Sequence, residues 1–365
     1  MKLAFTISTL SQGGAERVIT NMANHWAGKG HEVTILTLSV SSINSFFKLD
    51  SSIKVVGLAA GRSSKNPFEA VINNARRIFA IRKTLKTLAP DILISFMTET
   101  NILSIISTVG LSFPVIVSER ANPKVYPNSI IWKLLRSVVY PIADKIILQS
   151  EASKDNFSGI IKKKCAVIPN PVSYVKDSKQ DFKVTIKQKK TIVSLGRLVE
   201  EKGYDLLLNA FSRIRAHHND WSLVIYGDGP LRGQLEGAMD ELKLSDAVQF
   251  PGITNDPTEA LLKADLFVLS STTEGFPNAL CEAMACGLPV ISFDCLYGPA
   301  EIIDNGKNGI LVPTGDVNKL AEAMEALIND NDHRETLAKE ARKITERLGA
   351  DKIMEAWSKL IDKLV

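Results

Sequence analysis

Short apolar runs alternate with longer amphipathic segments along the whole chain, the pattern of a parallel sheet whose strands are joined by helices. In the first half, strands are predicted at Lys2–Ser8, Glu32–Leu38, Lys54–Leu58, Asp91–Phe96, Pro114–Ser118, Lys145–Gln149 and Ala166–Ile168. Helical periods lie between them, notably Ala15–Ala27, Glu69–Leu88 and Ile130–Val139. The rhythm pauses over residues 169–189, a Pro-Asn-Pro-Val turn followed by a polar stretch that reads as an interdomain connection. A second series follows, with strands at Thr191–Leu195, Ser222–Tyr226, Ala247–Phe250, Leu266–Leu269, Pro289–Ser292 and Gly309–Val312. Three helical segments, 316–328, 332–347 and 350–364, close the chain. Two successive parallel α/β domains with a cleft between them are predicted. Open parallel sheets bind ligands beyond the carboxyl ends of their strands, so the loops there are where chemistry is sought.

A length of 365 residues suits two such domains, and 45% hydrophobic with 23% charged residues is ordinary for a globular protein. Charge changes the picture more. Residues 1–185 carry 24 Lys+Arg against 12 Asp+Glu, whereas residues 186–365 carry 20 against 28. The basic first half suits an anionic lipid, a phosphate-bearing acceptor or nucleic acid, or is simply a solvated charge pattern. The four cysteines, Cys165, Cys281, Cys286 and Cys295, form no Cys-x-x-Cys pair and have no His at metal-ligand spacing, which fits a reducing cytosol. Met1–Ile7 makes a poor signal peptide and a good first strand. The apolar stretch from Ile102 to Val117 is broken by Ser, Thr, Gly and Pro, so no membrane-spanning helix is expected.

Five segments carry candidate chemistry. Ser11-Gln12-Gly13-Gly14-Ala15-Glu16 joins the first strand to the first helix, where two glycines let the backbone approach an anion, although it reads equally as a tight turn. It lacks Gly-x-Gly-x-x-Gly spacing, and no acid ends the second strand, which disfavours a dinucleotide dehydrogenase. Ser194-Leu195-Gly196-Arg197-Leu198-Val199-Glu200-Glu201-Lys202-Gly203 sends two cations, Arg197 and Lys202, from a strand end, where they can grip a diphosphate. Tyr226-Gly227-Asp228-Gly229-Pro230 is a strand and tight turn, structural or a ledge for a ligand base. The most specific segment is Glu274-Gly275-Phe276-Pro277-Asn278-Ala279-Leu280-Cys281-Glu282, in which two carboxylates bracket a helix start whose free N–H groups favour an anion. In Gly298-Pro299-Ala300-Glu301, Glu301 either caps a helix or touches ligand. Asp330-Asn331-Asp332, the one Asp-x-Asp match, falls between predicted helices and reads as a cap or loop.

Taken together these residues resemble the large retaining family 4 of glycosyltransferases, whose GT-B fold places two Rossmann-like domains across a cleft. The resemblance spans essentially the whole chain and implies domains of residues 1–170, with about 350–365 crossing back near Trp357, and 171–349. It implies that Arg197 and Lys202 hold the donor diphosphate, that Glu274 contacts the donor hexose near the reacting centre, and that Glu282 meets the ribose. Gly13 and Gly14 would approach the diphosphate from the other domain. Gly229, Phe276 and the backbone of Asn278, Ala279 and Leu280 complete the expected donor site. The implied chemistry needs neither metal nor cofactor: a UDP leaving group is stabilised by cations and helix termini while the acceptor attacks on the same face. One departure is Ser118-Glu119-Arg120-Ala121-Asn122-Pro123, where many relatives have a His. With Gly-Pro-Ala-Glu-Ile-Ile, it resembles a subgroup building bacterial surface polysaccharides and protein-linked glycans from UDP-galactose-type or UDP-N-acetylhexosamine donors.

On the acceptor side, Glu119 and Arg120 are candidates, as are Arg76, Arg77, Arg82, Lys83 and Lys86 on one helix. Lys124, Lys133 and Arg136 flank Tyr126, Trp132 and Tyr140. Basic residues beside apolar ones suit the plane of an anionic membrane, and the expected acceptor is a polyprenyl-diphosphate-linked glycan at the cytoplasmic face. The alternative is that the apolar residues are core and the cations only solubilise. An epimerase, a phosphorylase or a non-catalytic sugar-nucleotide binder can share the fold, and no nucleic-acid-reading module is recognised.

Overall fold

The computed structural model describes residues 1–11, 13–39, 45–61, 66–120, 126, 129–172 and 190–365. Most of the predicted interdomain connection, residues 173–189, therefore lies outside the described residues, as do Gln12, Lys124 and Ala121–Pro123. The chain divides into two compact units, Met1–Asn170 with Asp351–Val365, and Pro171–Ala350.

The first unit runs β1 (Lys2–Ile7), α1 (Gly14–Gly28), β2 (Glu32–Thr37), β3 (Lys54–Gly57), α2 (Pro67–Leu88), β4 (Ile92–Phe96), α3 (Thr98–Thr108), β5 (Val115–Ser118), α4 (Ile130–Val139), β6 (Lys145–Leu148), α5 (Gly159–Lys164) and β7 (Cys165–Val167). The second runs β8 (Lys190–Leu195), α6 (Tyr204–Arg215), β9 (Trp221–Tyr226), α7 (Arg232–Glu241), β10 (Val248–Gly252), α8 (Pro257–Leu262), β11 (Leu266–Leu269), α9 (Asn278–Ala285), β12 (Val290–Phe293), α10 (Pro299–Ile302), β13 (Ile310–Val312), α11 (Val317–Asn329), α12 (Asn331–Arg342) and α13 (Ile344–Leu348). The last helix, α14 (Ala350–Ile361), lies almost wholly in the first unit, with Ile353, Met354, Trp357 and Ile361 buried.

Both sheets are wholly parallel, in the orders β3-β2-β1-β4-β5-β6-β7 and β10-β9-β8-β11-β12-β13. Their central strands are buried on both faces: every residue of β4, β11 and β12 is buried, and all but the first of β1 and β2. That is why these strands read as continuous apolar runs and not as an alternation. In each sheet the strand order reverses about a central pair, β1/β4 in one and β8/β11 in the other. Loops leaving such a pair diverge and open a crevice at the carboxyl edge.

Helix boundaries follow the local chemistry. Asn66 accepts from the Glu69 N–H ahead of Pro67, and Ala89 in left-handed conformation followed by Pro90 ends the same helix. Asp256, Asp316 and Asp330 cap α8, α11 and α12 through the N–H groups of Glu259, Lys319 and His333. Asp330 of the Asp-x-Asp match is thus a helix cap. The predicted single helix over 332–347 is two, parted at Lys343, whose N–H is turned back to Glu340 O.

Candidate active site

In the second unit the chain stitches three sequence motifs into one strand-end platform. The loop after β8 bonds to the turn after β9 through Leu198 N–H to Asp228 O and Leu231 N–H to Leu198 O, 3.0 and 3.1 Å. It bonds to the segment after β11 through Thr272 N–H to Glu201 O, 2.9 Å, and Ser270 Oγ–H to Lys202 O, 2.8 Å. Glycine is required for this closeness. Gly227, at φ +145°, would place a Cβ 1.9 Å from Gly196 O, and Gly229 would place one 2.5 Å from Leu198 O.

This stitching delivers Lys202 to Glu274 across the β8/β11 reversal: Nζ to Oε1 is 2.6 Å, with Glu274 9% and Lys202 23% exposed. Arg197 projects from the same loop, exposed, and makes no side-chain bond among the described residues. Beyond Glu274, Pro277 starts α9. The Asn278 N–H turns back to Phe276 O, and the first intrahelical bond is Cys281 N–H to Pro277 O. The Ala279 and Leu280 N–H groups therefore precede the hydrogen-bonded ladder and present the positive end of the helix dipole. Phe276 is buried and Glu282 half-buried in the second turn. Gly298 lies against Pro277, where a Cβ would come 2.5 Å from its Cδ, so Gly-Pro-Ala-Glu buttresses this helix start and leaves Glu301 exposed on α10. The Lys202–Glu274 pair and the start of α9 lie past the ends of neighbouring strands, with Arg197 on the same loop as Lys202, an arrangement that can hold a phosphate and a hydroxylated ring together.

Sequence reasoning missed three neighbours. Tyr204 is buried at the start of α6, with its hydroxyl oxygen 2.7 Å from the Cβ position of Gly196, and burial holds its proton on well above the usual phenol range. Cys295, after β12, is pushed up to about 12, first by burial and then by the charge of Glu274. Ser271 Oγ is buried without a hydrogen-bond partner among the described residues. None belongs to a motif; only the strand order brings them here.

In the first unit Gly13 is the N-cap of α1 in extended conformation, and the Glu16 carboxylate lies over it, 2.2 Å from where a Cβ would stand. Gly14 is the first residue of α1. After β5, Glu119 and Arg120 are both buried. Glu119 accepts hydrogen bonds from the Thr98 hydroxyl, at 2.7 Å, and from the Tyr140 hydroxyl. Burial pushes its carboxyl up, partly opposed by those bonds and by Arg136. Tyr140 is fully buried beneath Glu119 and bonded by Asn101, so it is not among the surface aromatics expected of this region. Arg120 donates to Asn170 and lies 4.9 Å over the ring of Phe96, and burial pushes it down to about 9.

The expected basic surface sorts into two groups. Arg76, Lys83 and Lys86 are exposed. Arg77 donates to Ala60 O and to Asn74, and Arg82 donates to Ser107 O and Val109 O at 2.8 Å each, closing the end of α3. Arg136 stacks over Phe157 at 5.2 Å, and Lys133 is half-buried. What α4 turns outward is apolar: Ile130, Ile131, Leu134 and Val138 are 62–73% exposed, and Leu135 36%. Phe68, Val71, Ile72 and Phe79 are likewise exposed on α2, beside Arg76. Spacings of three and four residues on α4, and of three, four and seven on α2, put each set on one helical face. Among the described residues no helix is long and apolar enough to cross a membrane, and no three His, Cys, Asp or Glu side chains converge as a metal site.

Two all-parallel sheets, each with its ligand edge at the strand ends, are the architecture of GT-B glycosyltransferases. The chain superposes on HepE of Anabaena in complex with UDP and glucose, with a TM-score of 0.78 at 19% identity over 100% of both chains. It superposes on the sucrose-phosphate synthase of Thermosynechococcus elongatus with a TM-score of 0.84 at 20% identity, covering 100% of this chain and 99% of that one.

The family is fixed by sequence. Glycosyltransferase Family 4 matches residues 12–174 and Glycosyl transferases group 1 matches residues 176–344. The chain is 31% identical over 362 residues, 99% of its length and 98% of the relative's, to the GalNAc-alpha-(1->4)-GalNAc-alpha-(1->3)-diNAcBac-PP-undecaprenol alpha-1,4-N-acetyl-D-galactosaminyltransferase of Campylobacter jejuni. A second enzyme of that organism, which adds N-acetylgalactosamine to N-acetylgalactosamine-N,N'-diacetylbacillosaminyl-diphospho-undecaprenol, is 27% identical over 93% of this chain and 94% of its own. This protein belongs to the family 4, group 1 glycosyltransferases and is an enzyme of that class.

Proposed function

We propose that the chain transfers a hexose or N-acetylhexosamine from a UDP-sugar, with retention of configuration and without a metal, to a polyprenyl-diphosphate-linked glycan in bacterial surface-glycan synthesis. The observation that carries the donor half is the Lys202–Glu274 pair, 2.6 Å apart beside the start of α9. Arg197, Lys202 and the Ala279 and Leu280 N–H groups hold the diphosphate and take up its charge as the bond to the sugar breaks. Glu274 accepts from hydroxyls of the transferred sugar and, through Lys202, couples sugar position to phosphate position. Glu282 and the Gly229 turn serve the nucleoside, while Gly13 and Gly14 offer backbone to an anion at the start of α1. The acceptor hydroxyl attacks on the face the diphosphate leaves, and its proton passes to the departing phosphate. Both Campylobacter relatives are named for undecaprenyl-diphosphate carriers, which supports the acceptor class.

Such a carrier lies in a membrane, and the outward apolar faces of α4 and α2 suit shallow insertion, with Arg76, Lys83 and Lys86 near anionic headgroups. This reading makes the protein a peripheral enzyme of the inner face of the cytoplasmic membrane.

The test is UDP release from a panel of UDP-sugars, with and without a polyprenyl-linked glycan, in wild type and Glu274→Ala. Acceptor-dependent release, lost in the variant, is expected and names the donor. Conversion without acceptor would make the protein an epimerase, and no release with any UDP-sugar would remove the uridine donor.

A further inference from the structure

Arg120 is a buried cation without a counter-charge. It is 9% exposed, and no carboxylate pairs with it among the described residues. The neighbouring carboxylate of Glu119 is committed to Thr98 and Tyr140. One end of the guanidinium is fixed, because Nη1 donates to Asn170 Oδ1 and the plane lies over Phe96. Its other edge is not: Nε and Nη2 are both buried and lack any hydrogen-bond partner among the described residues. Those two N–H groups point the same way from the planar group and form the side-on fork that matches two oxygens of one phosphate or carboxylate. A guanidinium keeps its proton, so leaving that fork buried and unpaired is costly unless an anion completes it. Arg120 stands just past the carboxyl end of β5 and Asn170 past that of β7, on the edge where parallel sheets take ligands. The stretch Ser-Glu-Arg and the Pro-Asn that closes the unit are thereby parts of one device.

We propose that the free edge of Arg120 binds a diphosphate group, two of its oxygens accepting from Nε–H and Nη2–H, with Asn170 and Phe96 fixing the angle of the fork. This deepens the reading above and rests on it, since both the donor and the carrier of the acceptor are diphosphates. The second unit already supplies Arg197 and Lys202 for the donor, so the carrier's diphosphate is the favoured source.

Calorimetric titration of inorganic pyrophosphate, UDP and geranyl diphosphate into wild type, Arg120→Lys and Asn170→Asp decides it. Lysine keeps the charge but not the fork, and aspartate hands Arg120 an internal counter-charge with almost no change of shape. Each variant should weaken pyrophosphate about tenfold or more. A matching loss for geranyl diphosphate alone assigns the site to the carrier, and one for UDP alone assigns it to the donor. Should Arg120→Lys fail to fold, Asn170→Asp answers the same question. Unchanged affinity for all three anions in a folded variant, or no binding by wild type, overturns the proposal. UDP release measured on the same wild-type preparation shows separately whether the transferase reading stands.

Discussion

Lys202 Nζ lies 2.6 Å from Glu274 Oε1, joining two residues that are 72 positions apart and sit on either side of the strand reversal in the second sheet. Neither group is placed by a local turn alone. The lysine is held because Ser270 and Thr272 bond its loop, and the glutamate because Pro277 starts a helix three residues on.

Removing either partner should therefore cost both chemistry and order. Glu274→Gln keeps the shape but leaves Lys202 half-buried without its counter-charge. Turnover should fall about 100-fold or more, with melting lowered; steady-state UDP release and thermal unfolding measure the two. Lys202→Arg, which keeps charge, should retain melting temperature better than Lys202→Met.

Gly227→Ala tests the platform and not the chemistry. A methyl there meets Gly196 O at 1.9 Å with φ at +145°, so the two loops must part. A loss of at least about 2 kcal/mol in denaturant unfolding is expected. Gly237→Ala in the same unit, where a Cβ meets nothing within 4 Å, should leave stability unchanged or raise it.

The apolar face of α4 should matter to lipid and not to folding. Ile131→Glu with Leu134→Glu and Val138→Glu should abolish sedimentation with anionic liposomes while leaving unfolding in buffer within about 0.5 kcal/mol per site. Arg82→Gln is the converse. It uncovers the Ser107 and Val109 carbonyls and should cost about 1–3 kcal/mol, with lipid binding little changed.

Glu119 gives a pH signature. Burial raises its carboxyl in the folded state above the ordinary value of 4.5, so the native protein holds a proton that the unfolded chain has released. Stability from this group is fully present below the unfolded value and declines as pH rises through the folded one. Glu119→Gln cannot titrate, so the stability of wild type relative to this variant should fall as pH is raised from 4.5. A gap between the two that stays flat with pH would show that Glu119 is not raised.

Central strands such as β1, β4, β11 and β12 were legible because a strand buried on both faces is an uninterrupted apolar run bounded by turns. Helix α3 was not. Its residues 98–108 are buried nearly all round, and its Ser and Thr hydroxyls satisfy themselves on carbonyls of the preceding turn, as Ser107 does on Leu103 O and Thr108 on Ser104 O. With no polar face it shows no helical period. The residues of the proposed donor site each stand in a motif, but the pairing of Lys202 with Glu274 was not legible, since strand order and not spacing sets it. Tyr140 was misplaced on the surface although the helix end at Val139 was read correctly, because the turn that follows α4 sends the ring inward to Glu119 and Asn101. The outward face of α4 was hidden for a simpler reason: periodicity finds an apolar stripe but not which side it faces.

The first unit is built from two pieces of chain, and this orders its synthesis. When Asn170 has emerged, the surface that α14 will cover with Ile353, Met354, Trp357 and Ile361 is still bare, and the 180 residues of Pro171–Ala350 must be made first. At ordinary elongation rates that interval is about 10–40 s. For that time the nascent first unit exposes an apolar seam to whatever else is in the cell, and the segment Asp351–Val365 is what closes it.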